Sequence, residues 1–445
     1  MYIGLLGYNS VEYVEVLIDI WNNGDCAVLL DCSLPYNSLV NTINECHLEI
    51  CYIDENYFKK LNIKEIDYVK VIKYSSSYKQ FHFLPSNIYM NFKENYSHKP
   101  AIVIFSSGTT GKSKGIVLSH YAINTNADMI FKEMEISDND KIMIIKKISH
   151  SSTLVGEVLV ALKNKLKILL GPIVLPSRII IDCINIFGIT ILCTNPILLK
   201  LLTNEVEKRN YAINLKKIFV SGDRIYENEI IKARNIISKA KIYNMYGLTE
   251  CGPRVFMQND MYNHLNSVGV PLENVHFQIK DLDGNNITKS YRKGVVFIKT
   301  PCVALGYINT KFGFSEIQSE WINTKDIGYL NENGELFIVG RADDLIIIAA
   351  HKIYPNSIEE IITKFTNVKE CVVTTCYDYT INKEVLCCFY VGEINISSLL
   401  NILSKYLIDY EIPKKYFNIK KIPRNANGKI DRKFVKENWR YLELK

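Results

Sequence analysis

One stretch of the sequence, residues 102–120, limits the possible folds more than any other. An apolar, β-branched run at 102–105 breaks into a polar segment of Ser, Thr, Gly and Lys, and apolar residues return at 116–118. This pattern predicts two strands joined by a loop. The glycines of the loop let the backbone approach an anion, and its hydroxyl groups and lysines add donors and positive charge. The stretch therefore predicts a phosphate-binding loop.

The loop is not a Walker A motif, although Gly111, Lys112 and Ser113 match the end of G-x-x-x-x-G-K-[ST]. Five residues before Gly111 the chain has Ser106, where that motif requires glycine. A second strand follows where a Walker A loop opens a helix. The pattern thus excludes the P-loop class of nucleotide-binding proteins.

Composition predicts a folded protein of two or three structural units, because 445 residues with 48% apolar side chains exceed one ordinary core. The 53 basic and 47 acidic residues form no long basic run, so a nucleic-acid partner is not expected. Twelve scattered cysteines without C-x-x-C or zinc-ligand spacing predict neither a disulfide framework nor a cysteine-bound metal.

The first hundred residues alternate between strand and helix patterns, which predicts a doubly wound α/β layer with a helix capped by Asn9 or Ser10. The N-terminus has no basic segment of the kind that begins a signal peptide. The longest uncharged run, 183–199, contains Asn, Gly and Pro, and this favours a buried strand and turn over a membrane span. We expect a cytoplasmic protein with no membrane span.

Four further motifs follow the loop in order. They read Y-G-L-T-E at 246–250, W-I-N-T-K-D at 321–326, G-R-A-D-D at 340–344 and P-R-N-A-N-G-K at 423–429. An aromatic face suits a nucleotide base, a hydroxyl suits a phosphate, and a carboxylate suits a hard cation. With S-S-G-T-T-G-K-S-K-G at 106–115, the set closely resembles the motifs of the adenylate-forming (AMP-binding) superfamily, which includes acyl- and aryl-CoA synthetases and stand-alone adenylation enzymes.

The resemblance implies an α/β fold with a large N-terminal domain, built from doubly wound sheets and a small β-barrel, and a small mobile α+β C-terminal domain. The domains are expected at 1–342, shortened at its start relative to the superfamily, and at 343–445, with Asp343 as the hinge. Segment 269–307 carries the turn signals Asp283-Gly284 and Lys293-Gly294 expected of the small barrel.

The same resemblance assigns the site. The implied catalytic residues are Lys429, Thr249 and Glu250, with Glu250 also the Mg²⁺ ligand. The implied ATP-binding residues are Ser106, Ser107, Gly108, Thr109, Thr110, Gly111, Lys114, Gly222, Asp223, Tyr246, Asp326 and Arg341. Two departures stand out, because Lys325 replaces a usual glycine beside Asp326, and Ala349 and Ala350 replace glycines that line the thiol tunnel in the superfamily.

The implied acid pocket comprises His150, Ser151, Cys193, Ser221, Met245 and Pro253. This mixed apolar and weakly polar set suits an aryl or medium acyl acid. A free amino acid is disfavoured, because Ser151 stands where amino-acid synthetases place an Asp for the ammonium group. His150 is either a gate to the pocket or a hydrogen-bonded core histidine. Arg254 is either a solvated side chain or a partner for a second carboxylate of the substrate.

The sequence thus predicts an ATP- and Mg²⁺-dependent acid–thiol ligase that forms an acyl-AMP and transfers the acyl group to CoA or to phosphopantetheine. No carrier segment follows Lys429 in the printed sequence, so an acyl or peptidyl carrier protein is expected to act in trans. Three alternatives remain: an enzyme that passes its adenylate to an amine or a partner protein, a luciferase-like oxygenase, and a non-catalytic nucleotide-binding subunit.

Overall fold

The computed structural model describes residues 1–61, 69–85, 88, 97–106, 114–281, 283–309, 313–348, 351–424 and 430–443. The chain forms two compact units. The first comprises Met1–Ile225, Glu229–Phe277 and Ile298–Ile322, and the second comprises Tyr226–Asn228, Gln278–Phe297 and Asn323–Lys445. A boundary with a hinge at 343 concerns domain movement and stays a prediction.

The first unit contains two eight-stranded sheets. In spatial order the first sheet holds Gly313–Glu316, Gly306–Asn309, Lys114–Ser119, Pro100–Ser106, Cys26–Leu30, Tyr2–Leu6, Ile50–Asp54 and Lys70–Tyr74. The second holds Val270–Pro271, Phe256–Met257, Lys241–Tyr246, Lys217–Val220, Ile191–Thr194, Lys141–Ile144, Lys167–Leu170 and His82–Phe83. The central strands of both are parallel and buried, as their continuous apolar runs require.

The strands flanking the phosphate loop confirm the pattern predicted for residues 102–120. Pro100–Ser106 and Lys114–Ser119 pair antiparallel, with Phe105 opposite Gly115 and Ser106 opposite Lys114. The hairpin is buried in the first sheet, so its open end is held at a fixed place on a rigid layer.

The intervening segments form the helices of this unit. They are Val11–Asn22, Tyr36–Glu45, Glu55–Leu61, His120–Met134, Ser151–Thr153, Val160–Lys163, Ser177–Phe187, Pro196–Arg209 and Glu227–Ile236, with a π-helix at Leu154–Leu159 and a 3₁₀ turn at Thr249–Cys251. The predicted cap is Ser10, which accepts from the Tyr13 amide at 3.1 Å, and Ser119 caps the helix His120–Met134 in the same way by accepting from the Ala122 amide at 3.1 Å.

The uncharged run at 183–199 needs a correction. Its centre is the predicted buried strand, Ile191–Thr194, but its two ends belong to helices Ser177–Phe187 and Pro196–Arg209. Gly188, at φ +63°, ends the first of these helices, which buries Ile180, Ile181, Cys183 and Ile184 on one face. Within the described ranges, no helix is long and apolar enough to cross a membrane.

The second unit contains most of a four-stranded sheet in the segment expected to form the small barrel. Its strands are His276–Lys280, Gly294–Lys299, Ile322–Leu330 and Leu336–Arg341. Further along are the pair Ile346–Ile348 and His351–Ile353, and the sheet of Glu370–Asp378, Lys383–Val391 and Lys415–Asn418. The helices here are Pro355–Phe365, Ile396–Tyr406, Arg432–Glu437 and Trp439–Glu443, with 3₁₀ turns at Ala342–Asp344 and Asp409–Glu411.

Candidate active site

The described end of the phosphate loop lies beside Tyr307. Lys114 is exposed, and its Nζ lies 5.5 Å from the centre of the Tyr307 ring. Tyr307 belongs to the strand that pairs with Lys114–Ser119. Five predicted phosphate ligands fall outside the described residues: Ser107, Gly108, Thr109, Thr110 and Gly111. Ser106 ends its strand opposite Lys114, and the phosphate roles of the whole loop stay predictions.

The Y-G-L-T-E motif at 246–250 also lies near Tyr307. The strand Lys241–Tyr246 ends in the 3₁₀ turn Thr249–Cys251, and the Glu250 carbonyl accepts from the Ala304 amide at 2.9 Å. Burial, together with the nearby Glu250 carboxylate and the Cys251 thiol, raises the pKa of Tyr307 to about 12. Glu250 and Lys114 thus share Tyr307 as a neighbour, so two motifs that are distant in sequence meet around one side chain.

Tyr246 is half-buried at the end of its strand, where its ring lies 6.3 Å from that of Phe256. Gly222 follows the next strand with φ +95°, and nothing lies within 4 Å of the position a side chain would take. A backbone of this kind leaves room for a flat ligand close to the chain. Asp223 beside it is exposed.

Ser151 and Thr249 connect the predicted acid pocket to the predicted phosphate contact. Their hydroxyl oxygens lie 3.0 Å apart and form a hydrogen bond. Ser151 is buried at the start of a short helix, and Thr249 begins the 3₁₀ turn. A residue of the predicted acid pocket and the predicted α-phosphate contact are therefore direct neighbours.

Four other predicted pocket residues lie at or near the carboxyl ends of parallel strands in the second sheet. Cys193, Ser221, Met245 and Pro253 are all buried. Cys193 sits opposite Phe219 in the register, and Ser221 directly follows Val220 of the same strand. Parallel sheets bind ligands at this edge, because the loops that follow the strands converge there.

His150 is not a core histidine. Its side chain is 44% exposed, and its Nε2 lies 3.7 Å from a carboxylate oxygen of Asp31. Lys147 donates to both oxygens of the same carboxylate at 2.8 and 3.0 Å. Burial opposes the charge on Asp31, but the nearby His150 ring and hydrogen bonds from Lys147 and the Ser33 amide outweigh it and lower the pKa of this carboxyl group. The gate alternative for His150 stays a prediction.

Arg254 is buried, so the expectation of a solvated arginine is wrong. Only 3% of the residue is exposed. Its Nη2 donates to Ser221 Oγ at 2.9 Å and to the Ser152 carbonyl at 3.4 Å. The Asn126 side chain accepts from the Arg254 amide and donates to the Arg254 carbonyl. It shares its neighbourhood with Lys146 and Glu157, which form an ion pair at 2.6 Å. We call Lys146, Glu157 and Arg254 the pocket charge cluster.

Sequence reasoning gave no role to Asp31, Lys147, Lys146 or Glu157. The one local signal was Glu157 itself, which stands inside the apolar run L-V-G-E-V-L at 154–159. A charge in such a run is buried only with a partner. This run folds as a π-helix, a form that occurs most often at functional sites.

In the second unit, the predicted ribose residues lie together. Arg341 Nη1 lies 3.3 Å from Asp326 Oδ1, and its Nη2 lies 3.7 Å from Asp343. Lys325 adopts φ +60°, the backbone conformation of the glycine it replaces, and its Nζ lies 3.6 Å from Asp343. The ribose and hinge roles stay predictions.

Lys429, Ala349 and Ala350 lie outside the described residues. The segments on either side of Lys429 pair with each other, because Arg424 and Ile430 form a β-bridge and the Asp431 amide donates to the Pro423 carbonyl at 3.0 Å. Just beyond, Arg432 binds Glu359 at 2.5 and 3.2 Å, the Asn356 side chain at 2.7 Å and the Val373 carbonyl at 2.5 Å.

Glu250 fits the role of a magnesium ligand in this site. Across the described part of the chain, no cluster of three or more His, Cys, Asp or Glu side chains forms a cage for a metal. Mg²⁺ does not need one, because it is usually held by one or two carboxylates together with substrate phosphates and waters. A single carboxylate beside a predicted phosphate loop matches that donor set.

A sequence model of the AMP-binding enzyme family matches residues 2–308, more than half of the chain. The chain therefore belongs to this family. A 2-succinylbenzoate–CoA ligase of Bacillus cereus is 26% identical over 447 residues, which cover 98% of this chain and 88% of that protein.

Two solved structures show the same fold. O-succinylbenzoate Coenzyme A synthetase from Bacillus subtilis, in complex with ATP and magnesium ion, has a TM-score of 0.80 at 21% identity, covering 97% of this chain and 88% of that one. The anthranilate CoA ligase AuaEII, in complex with anthranoyl-AMP, has a TM-score of 0.83 at 17% identity, covering 100% and 87%.

These comparisons confirm three predictions: the adenylate-forming superfamily, its two-domain α/β fold, and the class of AMP-forming acid–thiol ligases. The ATP and magnesium of the synthetase, and the CoA in the name of the curated relative, agree with the predicted cofactors.

Proposed function

We propose that this protein joins an aryl or aryl-substituted carboxylic acid to CoA at the expense of ATP, and that 2-succinylbenzoate is the first acid to test. The hydrogen bond between Ser151 and Thr249 carries the proposal, because it joins the predicted acid pocket to the predicted α-phosphate contact. The curated relative named for 2-succinylbenzoate, matched over 98% of this chain, supports the choice of acid.

In the first half-reaction, a carboxylate oxygen of the acid attacks the α-phosphorus of ATP. The bond from that phosphorus to the bridging oxygen breaks, and its electron pair leaves with pyrophosphate. Because two anions react, the barrier falls only if their charge is neutralised. We assign this task to the Thr249 hydroxyl, Lys114 and Lys429. Mg²⁺ bound with ATP would add its charge, and Glu250 would hold it.

In the second half-reaction, the CoA sulfur attacks the acyl carbon, the carbon–oxygen bond to AMP breaks, and the thiol proton is released. CoA is the proposed acceptor, and the pantetheine thiol of a carrier protein is the alternative. All twelve cysteines are thiols, which suits the reducing compartment of the proposed cytoplasmic location.

The test is pyrophosphate release from the purified protein with Mg·ATP and a panel of aryl, fatty, dicarboxylic and amino acids. Each acid is tested alone, with CoA and with a holo carrier protein. Acid-dependent release that CoA accelerates, with formation of the acyl-CoA, is the expected result. Release that no thiol accelerates would instead favour an adenylate-only enzyme, in line with Ala349 and Ala350. Silence across the panel contradicts the proposal.

A further inference from the structure

Arg254 is buried in contact with a residue of the predicted acid pocket. Its guanidinium covers Gly156, where a methyl side chain would lie 3.5 Å from Nη2, 3.6 Å from Nε and 3.7 Å from Cζ. A methyl group at position 156 would thus meet the guanidinium at ordinary van der Waals distance, which shows that Gly156 packs directly beside it. Its Nη2 bonds to Ser221, itself a predicted pocket residue.

The guanidinium has an unused donor. Nε of Arg254 is buried and has no hydrogen-bond partner, although arginine offers five donors in a fixed plane. An unpaired donor in the interior normally costs about 1–3 kcal/mol. Such a group at a binding site is satisfied when the ligand supplies an acceptor. The Ser221 hydroxyl accepts from Arg254 and can donate its own proton to the same ligand.

The charges around Arg254 do not balance. Two cations, Lys146 and Arg254, share one carboxylate, Glu157, and Lys146 holds that carboxylate at 2.6 Å. Glu157 is fully buried and Arg254 nearly so. Burial, only partly offset by Glu157, lowers the pKa of the Arg254 guanidinium. One further negative charge would balance the pocket charge cluster, and no described carboxyl group supplies it.

We propose that Arg254 and Ser221 bind a second carboxylate of the acid substrate and so select dicarboxylic acids. This inference rests on the proposed function. The substrate would place its reacting carboxylate at Thr249 and its second carboxylate at Arg254. Both residues lie on the single segment that follows the strand Lys241–Tyr246, so one loop sets both ends of the acid. A bidentate bond from a planar guanidinium gives such a site its geometry.

The test compares two acids that differ only in this group: 2-succinylbenzoate, and 4-oxo-4-phenylbutanoate, which lacks the ring carboxylate. We expect wild type to prefer the dicarboxylate in kcat/KM for pyrophosphate release. Arg254→Gln should lower kcat/KM by on the order of 10²-fold for the dicarboxylate and far less for the monocarboxylate, because only the former loses a buried charge pair. Equal losses for both acids would overturn the proposal.

Ser221→Ala is a milder second variant, expected to lose roughly 10-fold with the dicarboxylate, the usual scale for one hydrogen bond to a charged group. Arg234→Gln is the control, because this partly buried arginine bonds the Ile242 carbonyl at 3.2 Å and belongs to no predicted site. It should affect the two acids equally. Selective loss with Arg234→Gln would contradict the assignment to Arg254.

A binding measurement separates this inference from the proposed function. The shift in Tm caused by each acid is recorded for wild type and Arg254→Gln without ATP. A larger shift with the dicarboxylate that Arg254→Gln removes supports the subsite, even if no acid releases pyrophosphate and the proposed function fails. Equal shifts with both acids in wild type, or a dicarboxylate shift that survives in Arg254→Gln, would overturn the subsite even if the enzyme is active.

Discussion

Arg254 in the first unit is buried and Arg432 in the second is partly buried, both beside carboxylates, yet their surroundings differ in net charge. Arg432 faces two carboxylates, Glu359 at 2.5 Å and Asp344 at 3.9 Å. Arg254 shares a single carboxylate, Glu157, with Lys146. The surroundings of Arg432 have one negative charge in excess, and those of Arg254 have one positive charge in excess.

The pKa values of the two arginines are shifted in opposite directions. Burial disfavours the charge on each, but Glu359 and Asp344 outweigh it and raise the pKa of Arg432, whereas the pKa of Arg254 is lowered. Nε of neither arginine has a hydrogen-bond partner, but that of Arg432 faces the Asp344 carboxylate. An arginine whose charge is fully met by carboxylates therefore stabilises the fold, and one that must share its carboxylate with a lysine is suited to an anionic ligand.

The largest effect is expected where the carboxylates around Arg432 lose their cation. Arg432→Met leaves Glu359, which is 1% exposed, without its cation. Removing one partner of a buried pair typically costs ~3–5 kcal/mol. We expect that loss in the free energy of unfolding, measured by urea denaturation followed by circular dichroism.

Arg440→Met is the matched control, because Arg440 is exposed and lies over the Tyr379 ring. It should cost less than ~1 kcal/mol. If Arg432→Met costs no more than this control, Arg432 does not stabilise the fold and the comparison with Arg254 fails.

A lysine close to Arg432 in the chain should act on rate and leave stability alone. Lys429→Ala is expected to lower acid-dependent pyrophosphate release by at least ~10²-fold, the usual scale for one preorganised charge at a reacting centre. Lys433→Ala is the control, since Lys433 is 70% exposed and 3.8 Å from Glu437. Near-normal release by Lys429→Ala would remove this lysine from the proposed mechanism.

Those parts of the fold that depend on neighbouring residues could be predicted from the sequence. The strands around the phosphate loop, the Ser10 and Ser119 caps and the turn after Tyr246 follow from short patterns, because neighbouring residues decide strand ends and helix starts. The superfamily was visible for the same reason, since each of its motifs is a short segment.

The charge balance could not be anticipated. Arg254, Glu157 and Lys146 come from three segments, and only the packing of the π-helix against the loop at 249–254 brings them together. An exposed arginine is the ordinary expectation for that residue type, so sequence alone favoured the wrong alternative. For His150 the sequence left both alternatives open, because its neighbour Asp31 directly follows a strand of the first sheet and is far away in sequence.

Glu250 and Arg254 lie on the same loop, and their variants should differ in kind. Glu250→Gln should raise the Mg²⁺ concentration needed for half-maximal pyrophosphate release by roughly 10-fold or more, because an amide is a weaker ligand than a carboxylate for a hard cation. The change should be the same for mono- and dicarboxylic acids.

Glu273→Gln serves as the control for that titration, because Glu273 is exposed and paired only with Lys132 at 2.8 Å in the contacts described. A Glu250→Gln enzyme with the magnesium dependence of wild type would exclude this carboxylate as a ligand. A change confined to dicarboxylic acids would indicate that Glu250 contacts the acid. Glu250 and Arg254 would then not have separate roles on this loop.

The smallest effect probes the unbalanced cluster directly. Burial raises the pKa of Glu157, although Lys146 and Arg254 lower it in part. A carboxyl group whose folded pKa lies above its unfolded value contributes most to stability when it is protonated, and that contribution declines as the pH rises through the folded pKa. Wild type should therefore gain stability relative to Glu157→Gln as the pH falls from 8 to 5, by on the order of 1 kcal/mol or less.

Urea denaturation of both proteins at each pH measures the difference. Glu207→Gln, in an exposed pair with Lys232 at 2.6 Å, is the control and should show no such trend. A difference that stays constant with pH would mean that Lys146 and Arg254 fully offset the burial of Glu157, and that its folded pKa is not raised above the unfolded value.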